Sequence, residues 1–314
     1  MRISSVSLGA LFACVANAIQ GTRLYQFPDS SQWIENLAVR PNGDLVLTTF
    51  EDANIYGFHP AVASIPTLLT KLQDANVVTG IAQIAPDVYA VSGGIINRAA
   101  FTFEDGKIGI IDLSNCSASA PVPVRIAAQL PDSKLLNGMA TLPLYPRVIL
   151  SADSLAGVIW RVDTTSGKVD VVLKHDLLLP IQGTPFLPVG VNGIRVRDGY
   201  LYFSNTARQL WARVKVTSTG DTVGDVQVLT HATGNNTLDD FDFAKDGTTY
   251  IATPAHSVGK ITTQNAFSVI YHNETYLDTI TSVRFSNDQK TLYATTAGSD
   301  TDGGKGGQII ALSL

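Results

Sequence analysis

The sequence predicts an all-β fold, a six-bladed β-propeller closed by pairing of its N-terminal and C-terminal strands. Three observations carry that expectation. A unit of sequence recurs six times, each unit leads into short alternating strands, and a strand missing at one end of the chain is supplied by the other.

Each unit opens on a polar or small pair before an apolar alternation. The openings are Glu35-Asn36, Thr79-Gly80, Asn137-Gly138, Asn192-Gly193, Asp239-Asp240 and Thr281-Ser282, at steps of about 42 to 58 residues, the length of one four-stranded blade with insertions. Second strands follow, such as Leu45-Val46-Leu47-Thr48-Thr49 and Tyr200-Leu201-Tyr202-Phe203-Ser204. They are rich in β-branched and aromatic residues and are introduced by turns such as Pro41-Asn42-Gly43-Asp44. Third strands follow these, as in Val158 to Val162. The chain stops after Gln308-Ile309-Ile310-Ala311-Leu312 with one strand of the last blade lacking. Arg23-Leu24-Tyr25-Gln26-Phe27 can fill that place and remove an exposed sheet edge. A two-sheet sandwich is the rival, and it does not account for a repeated polar residue ahead of each first strand.

Residues 1–18 read as a signal peptide, with Arg2, the apolar run Val6 to Val15 and the small-x-small site Ala16-Asn17-Ala18. The propeller then spans 19–314. Sequons at Asn115, Asn235 and Asn273 agree with a secretory route to the outside or to a vesicular or vacuolar lumen. Of two cysteines, Cys14 falls in the leader, which leaves Cys116 unpaired and no disulfide framework. A net charge of -5 with 22 scattered Lys and Arg residues gives no nucleic-acid surface, and no apolar run is long enough to span a membrane. Composition says nothing of oligomeric state.

In a propeller the first strands line the central channel, so the six opening residues Glu35, Thr79, Asn137, Asn192, Asp239 and Thr281 converge at one end of it. Glu35, Asn137, Asn192 and Asp239 bring oxygen ligands together, a set suited to Ca²⁺ or Mg²⁺ rather than a soft metal. Without a cation the two carboxylates would repel one another in a partly dry site. The alternative is that all four merely cap turns.

Apolar connections ring the same mouth. Ile95 and Phe101 lie in one, Phe186 in another, and Trp33 precedes Glu35; these are candidate contacts for a small apolar molecule such as a terpenoid or polyketide intermediate. His256 is the histidine at this face with the best claim on substrate, with His175, His231 and His272 nearby. Asn205, ending a second strand, is a candidate catalytic donor to a carbonyl oxygen. No catalytic-triad order, zinc motif or phosphate loop is present in a supporting context.

The spaced Glu, Asn, Asn and Asp, with Val191-Asn192-Gly193-Ile194 and Asp239-Asp240-Phe241, resemble the senescence-marker protein, gluconolactonase and strictosidine synthase superfamily of six-bladed propellers. The resemblance implies a metal on Glu35, Asn137, Asn192 and Asp239, and, as in the lactonase members, Asp239 as general base. Glu35 is followed by Asn36-Leu37 where that family has Gly-Pro. The segment Trp33 to Gly43 is more similar to a secreted fungal branch that resembles the hetero-Diels–Alderases of tropolone–sesquiterpene biosynthesis. That implies a cyclase joining an o-quinone methide to a terpene alkene. A metal-dependent lactonase or esterase, and a non-catalytic binding propeller, are the alternatives.

Overall fold

Six antiparallel four-stranded sheets stand in a ring, each a blade; in five of them the strands follow sequence order from the channel outward, and in the last the chain's first strand takes the outermost place. The computed structural model describes residues 19–314 except 51, 63, 116–120, 184, 186 and 299–303. The expected leader, Cys116 and Phe186 therefore lie outside the described residues. The inner strands are Ile34–Val39, Val77–Ala85, Leu136–Leu142, Val191–Arg197, Phe241–Phe243 and Ile280–Phe285, one in each of blades one to six. The last blade is closed as the sequence predicts. Its outer strand, Gln20–Gln26, pairs with Gln308–Ser313, with Gln20 opposite Ser313 and Gln26 opposite Gln308. Among the described residues the only helical element is a 3-10 turn at Asp176–Leu178.

Alternation buries one face of each sheet against the next. Trp211, Phe203, Tyr89 and Phe241 are among the largest fully buried side chains, and the apolar layers between blades form the core.

The inner strands do not run regularly at their start. Pairing slips between Ile34 and Asn36, Val78 and Ile81, Leu136 and Met139, Val191 and Ile194, and Ile280 and Ser282. These five irregularities enclose Glu35, Thr79, Asn137, Asn192 and Thr281. In blade five the corresponding Asp239 and Asp240 precede the short strand altogether. A bulge leaves its residues outside the ladder and re-aims their side chains. The polar pair that opens each repeat is the sequence mark of that bulge.

Hydroxyl groups stitch one blade to the next around the channel. Thr48 Oγ1 donates to Thr79 O at 2.8 Å, Ser92 Oγ to Asn137 O at 3.3 Å and Ser154 Oγ to Val191 O at 2.6 Å. Ser204 Oγ donates to Asp239 O at 2.7 Å, and Thr281 Oγ1 to Ile34 O at 2.8 Å. Between blades five and six the Asp240 N–H donates to Thr281 O at 3.2 Å. Each bond contributes only about 1 kcal/mol net, but each satisfies a buried carbonyl freed by the bulge.

Candidate functional site

A cavity of about 390 Å³ opens at the channel end where the inner strands begin. All six opening residues, Glu35, Thr79, Asn137, Asn192, Asp239 and Thr281, line it. Above this polar floor the wall is apolar, with Trp33, Phe50, Ile96, Phe101, Leu135, Leu187 and Val189.

The two asparagines are oriented by neighbours. Ser154 Oγ and Thr206 Oγ1 give their single protons to Val191 O and Leu238 O. Each hydroxyl can then only accept from its asparagine. Asn137 Nδ2 accordingly donates to Ser154 Oγ at 3.2 Å and Asn192 Nδ2 to Thr206 Oγ1 at 3.0 Å. Both amides thus have their nitrogen taken up, and the buried Asn192 Oδ1 has no hydrogen-bond partner. Ser154 and Thr206 are functional supports not singled out from the sequence. Their signal is the repeated Asp153-Ser154 and Asn205-Thr206 at the same place in blades three and four.

The carboxyls are held under strain. Burial pushes Glu35 up to about 8; the Trp33 indole N–H pulls it the other way, and the charge of Asp240 adds to the rise. Burial also holds Asp239 well above the usual carboxylate range, reinforced by Glu35 and Asp240 and opposed by the Asp240 backbone N–H and the Asn192 amide. Two such groups in one dry pocket resist ionising together, so the floor favours a shared positive charge, a proton or a cation. Among the described residues no group of three or more His, Cys, Asp or Glu side chains gathers as a metal cluster. A metal here would rest on two carboxyls and neutral amide oxygens, a hard donor set.

Trp33 lines the wall with its ring stacked on Phe50 at 4.6 Å and 16°, and the Arg98 guanidinium lies 5.2 Å over it. Phe101 lines it too, from the turn of a long hairpin, Val88–Asn97 to Thr102–Asp112. The sequence reads this segment as a loop, but its glycines and isoleucines are strand. Ile95 is not in the wall; its neighbour Ile96 is. Alternation along this strand puts Ile96 on the same face as Ala90, in the core shared with blade three, and Ile95 on the opposite face.

Three other expectations are corrected. Asn205 is fully buried away from the cavity. Its Nδ2 donates to Leu177 O and Leu179 O at 2.9 and 3.1 Å, and its Oδ1 accepts from Arg208 N at 3.1 Å. It pins the connection from blade three to blade four and has no donor left for a substrate. Asn205→Ala should therefore lower stability by roughly 2–4 kcal/mol, because two carbonyls lose their donors, while ligand affinity of the folded variant stays unchanged. His256 adopts a positive φ of 58° in a turn and sits 3.8 Å from Asp278, outside the cavity; Pro254 of the same loop reaches it instead. His175, His231 and His272 are likewise engaged locally, with Leu177 N, Arg208 O and Ser257 Oγ.

No family model matches the chain. It is 27% identical to a proposed hetero-Diels-Alderase of a Phoma species, over 70% of this chain and 68% of that protein. It is 24% identical to a second proposed hetero-Diels-Alderase, from Sarocladium schorii, over 58% of this chain and only half of the relative's length. Among solved structures, the calcium-binding protein regucalcin of Agrobacterium tumefaciens superposes with a TM-score of 0.70 at 17% identity, covering 95% and 94% of the two chains. A gluconolactonase of Xanthomonas campestris superposes with a TM-score of 0.63 at 14% identity, covering 94% and 89%.

Proposed function

We propose that the chain, which shares the six-bladed propeller fold of the gluconolactonase and regucalcin structures, is a propeller enzyme whose reaction is a hetero-Diels–Alder cyclisation. The observation that carries this reading is the division of the cavity into an apolar wall and an oxygen-lined floor. The names of the two sequence relatives support the reaction class.

In such a cyclisation a heterodiene, an o-quinone methide, and an alkene form one C–C and one C–O bond. The π electrons shift within the new ring, and no proton or leaving group departs. The chain then needs no nucleophile or base. It must hold two reactants in contact, exclude water and steady the oxygen that gains electron density. Trp33, Phe50 and Phe101 give the wall aromatic surface for a conjugated ring, and Leu187 and Val189 cover hydrocarbon. The floor side chains face the oxygen end.

The floor also fits a hard divalent cation, on the evidence of the unpartnered Asn192 Oδ1 and the two fixed amides. Glu35, Asn137, Asn192 and Asp239 would hold Ca²⁺ or Mg²⁺, which would supply Lewis-acid polarisation of a substrate oxygen. The same donor set favours a second reading, a lactonase with Asp239 as base.

Incubation with an o-quinone methide precursor and a humulene-type alkene tests the first reading. A rate at least a hundredfold over background, with one stereoisomer dominant, is expected; unchanged rate and stereochemistry would defeat it. Lactone hydrolysis that disappears with chelator and in Asp239→Asn would instead establish the second reading.

We also propose a secretory destination. Asn115 and Asn235 are exposed, as glycan acceptors must be, whereas Asn273 is half-buried and donates its Nδ2 to Tyr271 Oη at 3.3 Å. No helix among the described residues is long and apolar enough to cross a membrane.

A further inference from the structure

Directly below the floor lies a second ring, made by the residue after each opening residue. In blades two, three and four it is glycine, and an added Cβ at Gly80, Gly138 or Gly193 would meet Asn137 O at 2.3 Å, Asn192 O at 2.4 Å or Asp240 Oδ1 at 2.6 Å. In blades one, five and six it is Asn36, Asp240 and Ser282, all buried. At Gly80 and Gly138 the backbone of the next blade takes the space a side chain would need, and at Gly193 Asp240 does.

These three form one network around a single oxygen. Asp240 Oδ2 accepts from Asn36 Nδ2 at 2.7 Å, Arg284 Nη2 at 2.8 Å and Arg195 Nη2 at 3.1 Å. Asn36 Oδ1 in turn accepts from Arg284 Nη2 at 3.0 Å and Ser282 Oγ at 3.1 Å. The Asp240 side chain is 2% exposed, against 15% for Arg195 and 11% for Arg284. Both guanidiniums line a separate cavity of about 360 Å³ at the opposite end of the channel, together with Asp242, Gln83, Thr141 and Asn287. Asp240 therefore separates two compartments, and its chain neighbour Asp239 and the Asn36 neighbour Glu35 are the two floor carboxyls.

We propose that Asp240, clamped between Arg195 and Arg284, is a positioning residue and fixed counter-charge that sets how strongly the floor holds a divalent cation. The proposal rests on the reading of Glu35, Asn137, Asn192 and Asp239 as a cation site. The Asp240 charge is next in the chain to Asp239 and acts on both floor carboxyls, so in this buried environment it also acts on a cation they hold, and each guanidinium opposes that ion unless Asp240 balances it. A structural bond alone would affect folding and leave the affinity of the folded protein unchanged.

The test is calorimetric titration of the full chain with CaCl₂ and with MgCl₂, no substrate present. Asp240→Asn keeps the shape and removes the carboxylate that bridges both guanidiniums, leaving Asp242 as the nearby counter-charge of Arg195, and should weaken cation binding at least about tenfold. Adding Arg284→Met to it removes one positive charge and should restore affinity to within about threefold of the parent. If Asp240→Asn does not fold, Arg284→Met alone should strengthen binding about tenfold, while Arg284→Lys leaves it at the parent value. Folded Asp240→Asn with parent affinity, or a double variant no better than the single one, overturns the proposal. Parent protein that binds neither cation overturns the cation reading of the floor itself, and this proposal with it.

Discussion

With chelator present, the Glu35→Gln, Asp239→Asn double variant should be more stable than the parent at pH 8, by ~3 kcal/mol, and no more stable at about pH 4. Both carboxyls take up protons more readily in the folded protein, Glu35 with a value of about 8 and Asp239 well above the ordinary range. The folded state therefore binds extra protons between the ordinary carboxylate range and about 8. Their contribution is complete below that range and is lost as pH rises through it. Neutral amides have nothing to lose, so denaturant titrations of the variant should show a flatter pH profile. Saturating Ca²⁺ should flatten the parent profile as well if the floor holds it, since a cation balances both charges. The variant should have lost cation binding, with Kd raised more than about a hundredfold. A parent profile already flat without cation would refute the account of the floor.

Gly138→Ala should cost roughly 3 kcal/mol, near the upper end for added bulk in a packed interior. The new methyl would stand 2.4 Å from Asn192 O, 2.9 Å from Gly193 Cα and 3.0 Å from Ile194 N, all backbone atoms that move only with blade four. Gly57→Ala is the control. Its Cβ would meet Leu69 Cδ2 at 3.2 Å, the end of a side chain that can turn aside, so it should cost less than about 1 kcal/mol. Urea unfolding of the two variants measures the difference directly. Similar losses in both would mean that helix-free strand propensity, and not the close approach of blades three and four, governs the glycine.

The ring of blades was legible because each blade repeats its opening, and the same repetition marked the six floor residues. What was less legible depends on single residues. Ile95 and Ile96 exchange roles because an apolar run does not show which of two neighbouring residues its strand turns toward the cavity. Asn205 has the composition of a catalytic donor, and only its three local bonds reveal an anchor. Arg195 and Arg284 leave their strands at positions that look like ordinary outward turns of the alternation. Their length carries the guanidiniums back to Asp240, a destination that strand periodicity does not specify. Trp33, by contrast, stands two residues before Glu35 in sequence, and the bulge keeps it beside Glu35 in space.

The buried layer of Asn36, Asp240 and Ser282 gives the upper cavity a kinetic character. The two cavities share no lining residue. Under the proposed cyclisation, with both reactants entering at the mouth, the partner that arrives first would occupy the deep end and the second would close over it. Addition would then be compulsory in order, and the fused product would have to back out past Trp33 and Phe101 before another turnover. Product should compete with the first reactant alone, a pattern that initial-rate measurements with added product would display.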